Sequence, residues 1–276
     1  MFVLSALLAA AAAQFSIPDT SVIDMPIAEN GVAYQLYVYA PPPCRDEGAK
    51  CDTVYLLDAE YSFPLAATMI EHLYQRKRIR PVIAVSIGYK DKTHYKLNRT
   101  RDYTPFHFPT GGYGKEFQRV SGGGDAFLKV IKNEIVPYIE ENFAASSKNR
   151  TLVGHSYGGL FAVNTWIEDP SIFENYVVVS PSLWYADGAE LKRAGETCEK
   201  AKSGHASSFV LEVGSWEEQP ENGAAMVSDL ETFNNLLVKC KMRKAETYLR
   251  VFEDETHASI FPAALSTGLR KLFGGN

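Results

Sequence analysis

An α/β architecture with a mostly parallel central sheet and helices on both of its faces is the fold class this sequence predicts, and three observations predict it. Short β-branched or aromatic runs alternate with segments whose apolar residues recur every three to four positions. Most of these runs are apolar throughout, as strands covered on both faces are. One of them, Arg150 to Val153, leads through Gly154-His155-Ser156-Tyr157-Gly158-Gly159 into a helical pattern, giving the order strand, tight turn, helix. With 276 residues, 46% of them hydrophobic and 22% charged, the chain can bury a sizeable core as a single domain, which excludes disordered and fibrous classes.

Taken in order, Phe2 to Ala13 is apolar or small throughout and ends in an A-x-A-like site at Ala11 and Ala13. That is too short for a bilayer span and reads as a secretory signal peptide over 1–13, leaving 14–276 as the mature domain, exported to the periplasm or the medium. Tyr34 to Tyr39 alternates as an exposed early strand and stops at Pro41-Pro42-Pro43, which have no amide protons to donate. Buried parallel strands are expected at Thr53 to Leu57, Val82 to Ile87, Thr151 to Val153, Tyr176 to Val179, Phe209 to Val213 and Thr247 to Phe252. The helices packed on them are expected at Phe63 to Gln75, Asp125 to Asn142, Gly158 to Glu168, Met226 to Cys240 and Ser259 to Phe273. Thr104 to Gly124 has no regular pattern, and a loop of that length in a compact domain is usually functional or mobile.

Several classes drop out. A net charge of -5, from 28 basic and 33 acidic residues with the basic ones scattered, argues against a nucleic-acid partner. Gly112-Tyr113-Gly114-Lys115 lacks the spacer, the following Ser or Thr and the preceding strand of a phosphate loop, so nucleotide binding is rejected. The four cysteines show no metal-type C-x-x-C spacing, and in an exported chain disulfides are their expected use. Of the three connectivities, Cys44 with Cys51 and Cys198 with Cys240 close without rerouting the sheet.

The chemistry rests on Ser156. A serine in a sharp strand-to-helix turn exposes its Oγ, and small residues two before and two after it avoid collision with the neighbouring strand and helix. The helix that follows directs free amides and a partial positive charge at the site. A serine hydroxyl needs a base to take its proton, so a carboxylate and then a histidine should follow at later strand ends. Among the six histidines only His257 fits, after the strand Thr247 to Phe252 and before the last helix, whereas His155 sits inside the turn and is expected to pack beneath it. Glu217, in the loop after Phe209 to Val213, is the chosen acid; Glu218, Asp254 or a dyad with no strict acid are the alternatives. Oxyanion amides are expected from Tyr157 and from the turn Asp58-Ala59-Glu60-Tyr61, where Asp58 is placed to cap.

At this point the sequence resembles the esterase D type branch of the α/β-hydrolases, and within it the enterobactin and salmochelin esterases. The carriers of the resemblance are Leu57-Asp58-Ala59, Arg99-Thr100-Arg101-Asp102-Tyr103-Thr104-Pro105, the turn with Gly159-Leu160-Phe161, Ser180-Pro181-Ser182-Leu183-Trp184, Val213-Gly214 with Glu217, and His257 before Pro262-Ala263-Ala264-Leu265. The resemblance implies serine ester hydrolysis by Ser156 and His257, an oxyanion hole from the amides of Ala59 and Tyr157, and substrate-facing residues at Arg99, Arg101 and Trp184. A salt bridge to Asp102 is the competing account of either arginine. Ala59 stands where the family commonly has glycine, and its methyl could narrow the hole.

The expected function is therefore an exported serine esterase needing no metal or organic cofactor, with a siderophore ester such as a catecholate lactone as the sharper substrate. A generic short-chain carboxylesterase and an acyltransferase on the same fold are the alternatives, because fold and triad do not choose the acyl group. A non-catalytic binding module would have no use for Ser156 and His257 together.

Overall fold

A computed structural model describes residues 15–45, 50–200, 207–219, 224–240 and 246–275. The expected signal peptide lies outside the described residues. The strands are β1 (Thr20–Ile27), β2 (Ala33–Tyr39), β3 (Cys51–Leu56), β4 (Val82–Tyr89), β5 (Ala145–His155), β6 (Asn175–Val179), β7 (Ser208–Gly214), the short β8 (Glu218–Gln219) and β9 (Ala224–Ala225), and β10 (Thr247–Phe252). Eight of them form one sheet in the order β1-β2-β4-β3-β5-β6-β7-β10. β2 pairs antiparallel with both β1 and β4, and every pair from β4 to β10 is parallel. The predicted α/β sheet is thus the observed one.

The helices are α1 (Ala59–Gln75), α2 (Tyr95–Tyr103), α3 (Lys115–Gln118), α4 (Gly124–Val130), α5 (Val136–Asn142), α6 (Tyr157–Glu168), α7 (Tyr185–Lys200), α8 (Met226–Lys239) and α9 (Phe261–Phe273). α1 and α9 cover one face, where Ala66 and Ile70 meet Val54, Val177 and Leu265. The opposite face packs Leu160 and Phe161 of α6 and Leu230 and Phe233 of α8 against Tyr55, Leu152 and Leu211. Each such aliphatic side chain, fully buried, contributes roughly 1.5–3 kcal/mol.

Some elements differ from expectation, for physical reasons. Tyr34 to Tyr39 is not an exposed strand: β1 pairs along its edge, and Tyr34, Leu36 and Val38 are buried. β1 itself carries Pro26 and leaves Val22 and Ile27 exposed, as an edge strand does, so it shows no buried pattern in sequence. The helix expected over Asp125 to Asn142 is interrupted by a π-helical turn at Ile131–Ile135, because Pro137 has no amide to close an i−4 bond. α2 is polar on most sides, and α7 begins with Ala186, Asp187 and Gly188 in left-handed conformations, so neither displays helical spacing. Inside the expected loop Thr104 to Gly124 lies the one-turn α3.

Both disulfides connect as expected, Cys44 to Cys51 and Cys198 to Cys240, the second tying α7 to the end of α8. Among the described residues no helix is long and apolar enough to cross a membrane.

Candidate active site

Parallel pairing puts the carboxyl ends of β3, β5, β6, β7 and β10 on one edge of the sheet, and the turns that leave them converge there. β5 is flanked by β3 and β6, so the turn at its end is central. Ser156 occupies that turn with φ 61 and ψ -120, outside the ordinary regions for a residue with a Cβ. The bend is fixed by backbone alone: Ser156 N–H donates to Val179 O at 3.0 Å, and Leu160 N–H and Ser182 N–H donate to Ser156 O at 3.0 and 3.1 Å.

A Cβ on Gly154 would stand 2.1 Å from the carbonyl oxygen of Gly158, so strand and helix cross too closely for any side chain there. The partner position differs from expectation. A Cβ on Gly158 would come no closer than 3.4 Å to its neighbours, so the steric demand falls on Gly154.

His257 follows β10, three strands from β5, and reaches the centre because its loop folds back over the end of β7. The loop passes so near that a Cβ on Gly214 would lie 2.3 Å from Glu255 O. Trp216 N–H donates to that same Glu255 carbonyl at 3.2 Å. Glu217 is thereby set under His257, with Nδ1 to Oε2 at 2.5 Å. Its Oε1 accepts from Ser180 Oγ at 2.6 Å and from Gly214 N–H at 2.8 Å. Burial alone would raise this carboxyl, but the hydrogen bonds from His257, Ser180 and Gly214 outweigh it and hold Glu217 below the ordinary carboxylate value. An ionised Glu217 fixes the Nδ1–H tautomer of a neutral His257 and leaves Nε2 as acceptor.

Neither alternative acid is hydrogen-bonded to His257. Glu218 binds Val227 N–H and Ser228, at the start of α8. Asp254 sits exposed in a left-handed turn, its amide bonded to Ser215 Oγ. Ser156 Oγ shares a long hydrogen bond with Ser182 Oγ at 3.5 Å.

His155 was expected beneath the turn, and it is half-buried there, with a neighbour that sequence did not reveal. Its ring lies 4.6 Å from the His257 ring, inclined by 36°, and its Nδ1 meets Tyr61 OH at 3.2 Å. Burial first, then the adjacent His257 and Arg99, push it down to about 3, so His155 is neutral at any working pH. Only the return path of the last loop brings the two imidazoles together, a long-range event with no local signature.

Ala59 and Tyr157 are the first residues of α1 and α6, so neither amide has an intrahelical acceptor. Asp58 precedes α1 with φ 58 but makes no side-chain cap; its carboxylate turns instead to Arg99, whose Nε donates at 2.8 Å. Arg99 is 3% exposed and lies behind the turns rather than on the surface. Arg101 forks onto Asp102 at 2.7 and 3.0 Å, so the salt-bridge account describes Arg101, whereas the partner of Arg99 is Asp58. Trp184 is half-buried, 6.2 Å from the ring of Tyr157. Tyr113 from the irregular segment lies 5.0 Å from the ring of Tyr157, inclined by 52°. On the other side of His257 a cleft of about 360 Å³ is lined by Trp216, Gln219, Met226, Thr256 and Ala258. Among the described residues no His, Cys, Asp and Glu cluster could hold a metal ion.

A family model described as "Putative esterase" matches residues 28–272. The chain belongs to this esterase family. It is at that level a hydrolase of small-molecule esters. It is similar to the ferri-bacillibactin esterase BesA of Bacillus subtilis, 27% identical over 93% of this chain and 90% of the relative. A siderophore enterobactin esterase of Emericella nidulans is 30% identical over 80% of this chain and 82% of its own length. In three dimensions the esterase resembles the crystal structure of the BES protein from Bacillus cereus, with a TM-score of 0.82 and 26% identity, covering 96% of this chain and all of that one.

Proposed function

We propose that the protein is an exported serine esterase that hydrolyses siderophore esters. The observation that carries the serine mechanism is the Glu217–His257 pair at 2.5 Å, placed beside the sharp strand-to-helix turn that holds Ser156. Glu217 holds His257 by Nδ1, and Nε2 takes the proton of Ser156 as Oγ attacks the ester carbonyl. Charge then develops on the carbonyl oxygen, which the amides of Ala59 and Tyr157 receive. His257 returns the proton to the departing alkoxide, and a water activated by the same Nε2 releases the acyl group and restores Ser156. No step calls on a metal or an organic cofactor.

The substrate class is supported by the relatives named for ferri-bacillibactin and enterobactin. The aromatic surfaces of Trp184, Tyr113 and Trp216, the last 59% exposed, suit an aromatic ligand. Export is supported by two disulfides, which persist in oxidising compartments.

The test compares a p-nitrophenyl short-chain ester with a ferric tricatecholate lactone, wild type beside Ser156→Ala, with products identified by mass spectrometry. Serine-dependent cleavage of the lactone with the higher kcat/KM is expected. Cleavage of the simple ester alone makes the protein a general carboxylesterase, and a transfer product with an added alcohol makes it an acyltransferase.

A further inference from the structure

The two amides assigned to the oxyanion lie on different turns. Ala59 follows β3 and Tyr157 follows β5, and the ladder between these strands ends at the bond from Leu57 N–H to Val153 O, 3.1 Å. Beyond it both chains enter positive φ, at Asp58 and at Ser156, so backbone pairing no longer sets their separation. Two side chains span the gap: the Tyr61 hydroxyl, 3.4 Å from Asp58 Oδ2 and 3.2 Å from His155 Nδ1, and the Arg99 guanidinium, which alone of the two reaches the His155 backbone carbonyl. Arg99 donates from Nε to Asp58 Oδ1 at 2.8 Å, from Nη2 to Asp58 Oδ2 at 3.1 Å, and from Nη2 to the carbonyl oxygen of His155 at 2.9 Å. Those two acceptor residues immediately precede Ala59 and Ser156. Nη1 donates to Tyr113 OH at 2.9 Å, so four of the five N–H directions of the guanidinium are used within the protein.

The clamp is sealed and seated. The side chains of Arg99 and Asp58 are 4% and 0% exposed. The guanidinium carbon lies 5.3 Å from the ring centre of Tyr103 and 5.5 Å from that of Tyr157, the residue that offers the second amide. Asp58 is held in turn by Tyr95 OH at 2.6 Å and by its own amide, which donates to Tyr103 OH at 3.1 Å. A buried ion pair adds little stability over apolar residues of equal volume, so its use here points to geometry. Oxyanion donors are effective only within a narrow range, about 2.7–3.1 Å from the position the oxyanion will occupy.

We propose that Arg99 is a positioning residue: it fixes the spacing between the Asp58-Ala59 turn and the Ser156 turn, and so sets the oxyanion hole, without touching substrate. This rests on the serine-esterase reading above. Lysine keeps the charge but, as a single-centre donor, cannot bridge two carboxylate oxygens and a carbonyl at once.

The experiment measures Arg99→Lys and Tyr95→Phe beside wild type, with steady-state kinetics on one ester, affinity for a boronic acid that forms a tetrahedral anion on serine, and affinity for the non-hydrolysable ether isostere of the ester. For Arg99→Lys, kcat is expected to fall about 10- to 100-fold with KM changed less than about twofold. Boronate affinity falls by the factor lost in kcat/KM, while the ether isostere binds as before. Tyr95→Phe, which removes one hydroxyl from a half-buried position, shows the same split at a few-fold loss and decides the matter if Arg99→Lys does not fold. A raised KM with kcat intact would make Arg99 a substrate-binding group and overturn the proposal, as would unchanged kcat and boronate affinity in the variants that fold. Absence of Ser156-dependent turnover in the wild type sinks the serine reading and the clamp together, whereas an active wild type with an indifferent Arg99→Lys sinks only the clamp.

Discussion

Two carboxylates flank the nucleophile turn, and they are treated in opposite ways. Asp58 faces a guanidinium that is 4% exposed, and the pair is enclosed by tyrosines. Glu217 is as deeply buried, yet the imidazole it holds is 43% exposed on its side chain. A cation that never changes its protonation state can be sealed in and used as a fixed strut. On the proposed mechanism, an imidazole that takes up and releases a proton in each turnover needs an open edge. On the proposed roles, the difference separates what sets the geometry from what moves the proton.

The comparison breaks most completely at the imidazole. His257→Ala removes the proton acceptor, and kcat on any ester is expected to fall on the order of 10⁴-fold or more, with circular dichroism and melting temperature near wild type. Retained turnover would show that another group serves as base. Glu217→Gln preserves shape but no longer favours the Nδ1–H tautomer, and a loss of about 10³- to 10⁴-fold in kcat is expected. It also separates the two roles by pH. Because Glu217 is held below its ordinary value of 4.5, it stabilises the fold above that pH and the contribution is lost as pH falls through the lower folded value. Acid melting series should therefore drop less steeply for Glu217→Gln than for wild type.

At the strut the expected damage is to stability. Asp58→Ala leaves the Arg99 charge buried without its partner, at a cost of about 3–5 kcal/mol read from urea unfolding. A loss under about 1 kcal/mol would mean that water or the tyrosines replace the carboxylate. Glu212 on β7 sharpens the contrast from a third side, since both its carboxylate oxygens are buried without a hydrogen-bond partner. Burial, only partly offset by Arg250 and Arg270, pushes it up to about 9. A raised carboxyl favours the fold most below 4.5, and that contribution is lost as pH rises toward 9. Glu212→Gln should flatten the decline in melting temperature over this range.

These carboxylates also show what could be read from sequence. Ser156, Glu217 and His257 were legible because each sits at a strand end and the order of strand ends is a local pattern. The parallel strands were legible because β-branched runs such as Tyr176 to Val179 are buried on both faces. The Asp58–Arg99 pair was not, since it joins residues 41 apart through a helix with no apolar stripe, while Asp102 stood three residues away as a nearer candidate. The stack of His155 on His257 was hidden for the same reason, as it depends on a loop returning across three strands. Edge strand β1 lacks the burial that makes a strand visible.

The turn at Ser156 has one further consequence. Holding a residue with a Cβ at φ 61 and ψ -120 costs on the order of 1–3 kcal/mol, and glycine would adopt the same backbone freely. None of the three backbone bonds that fix the turn involves the hydroxyl. A lineage released from the need for turnover would accordingly become hardier by discarding its nucleophile. With Ser156 as the proposed nucleophile, durability and reactivity compete for this single position.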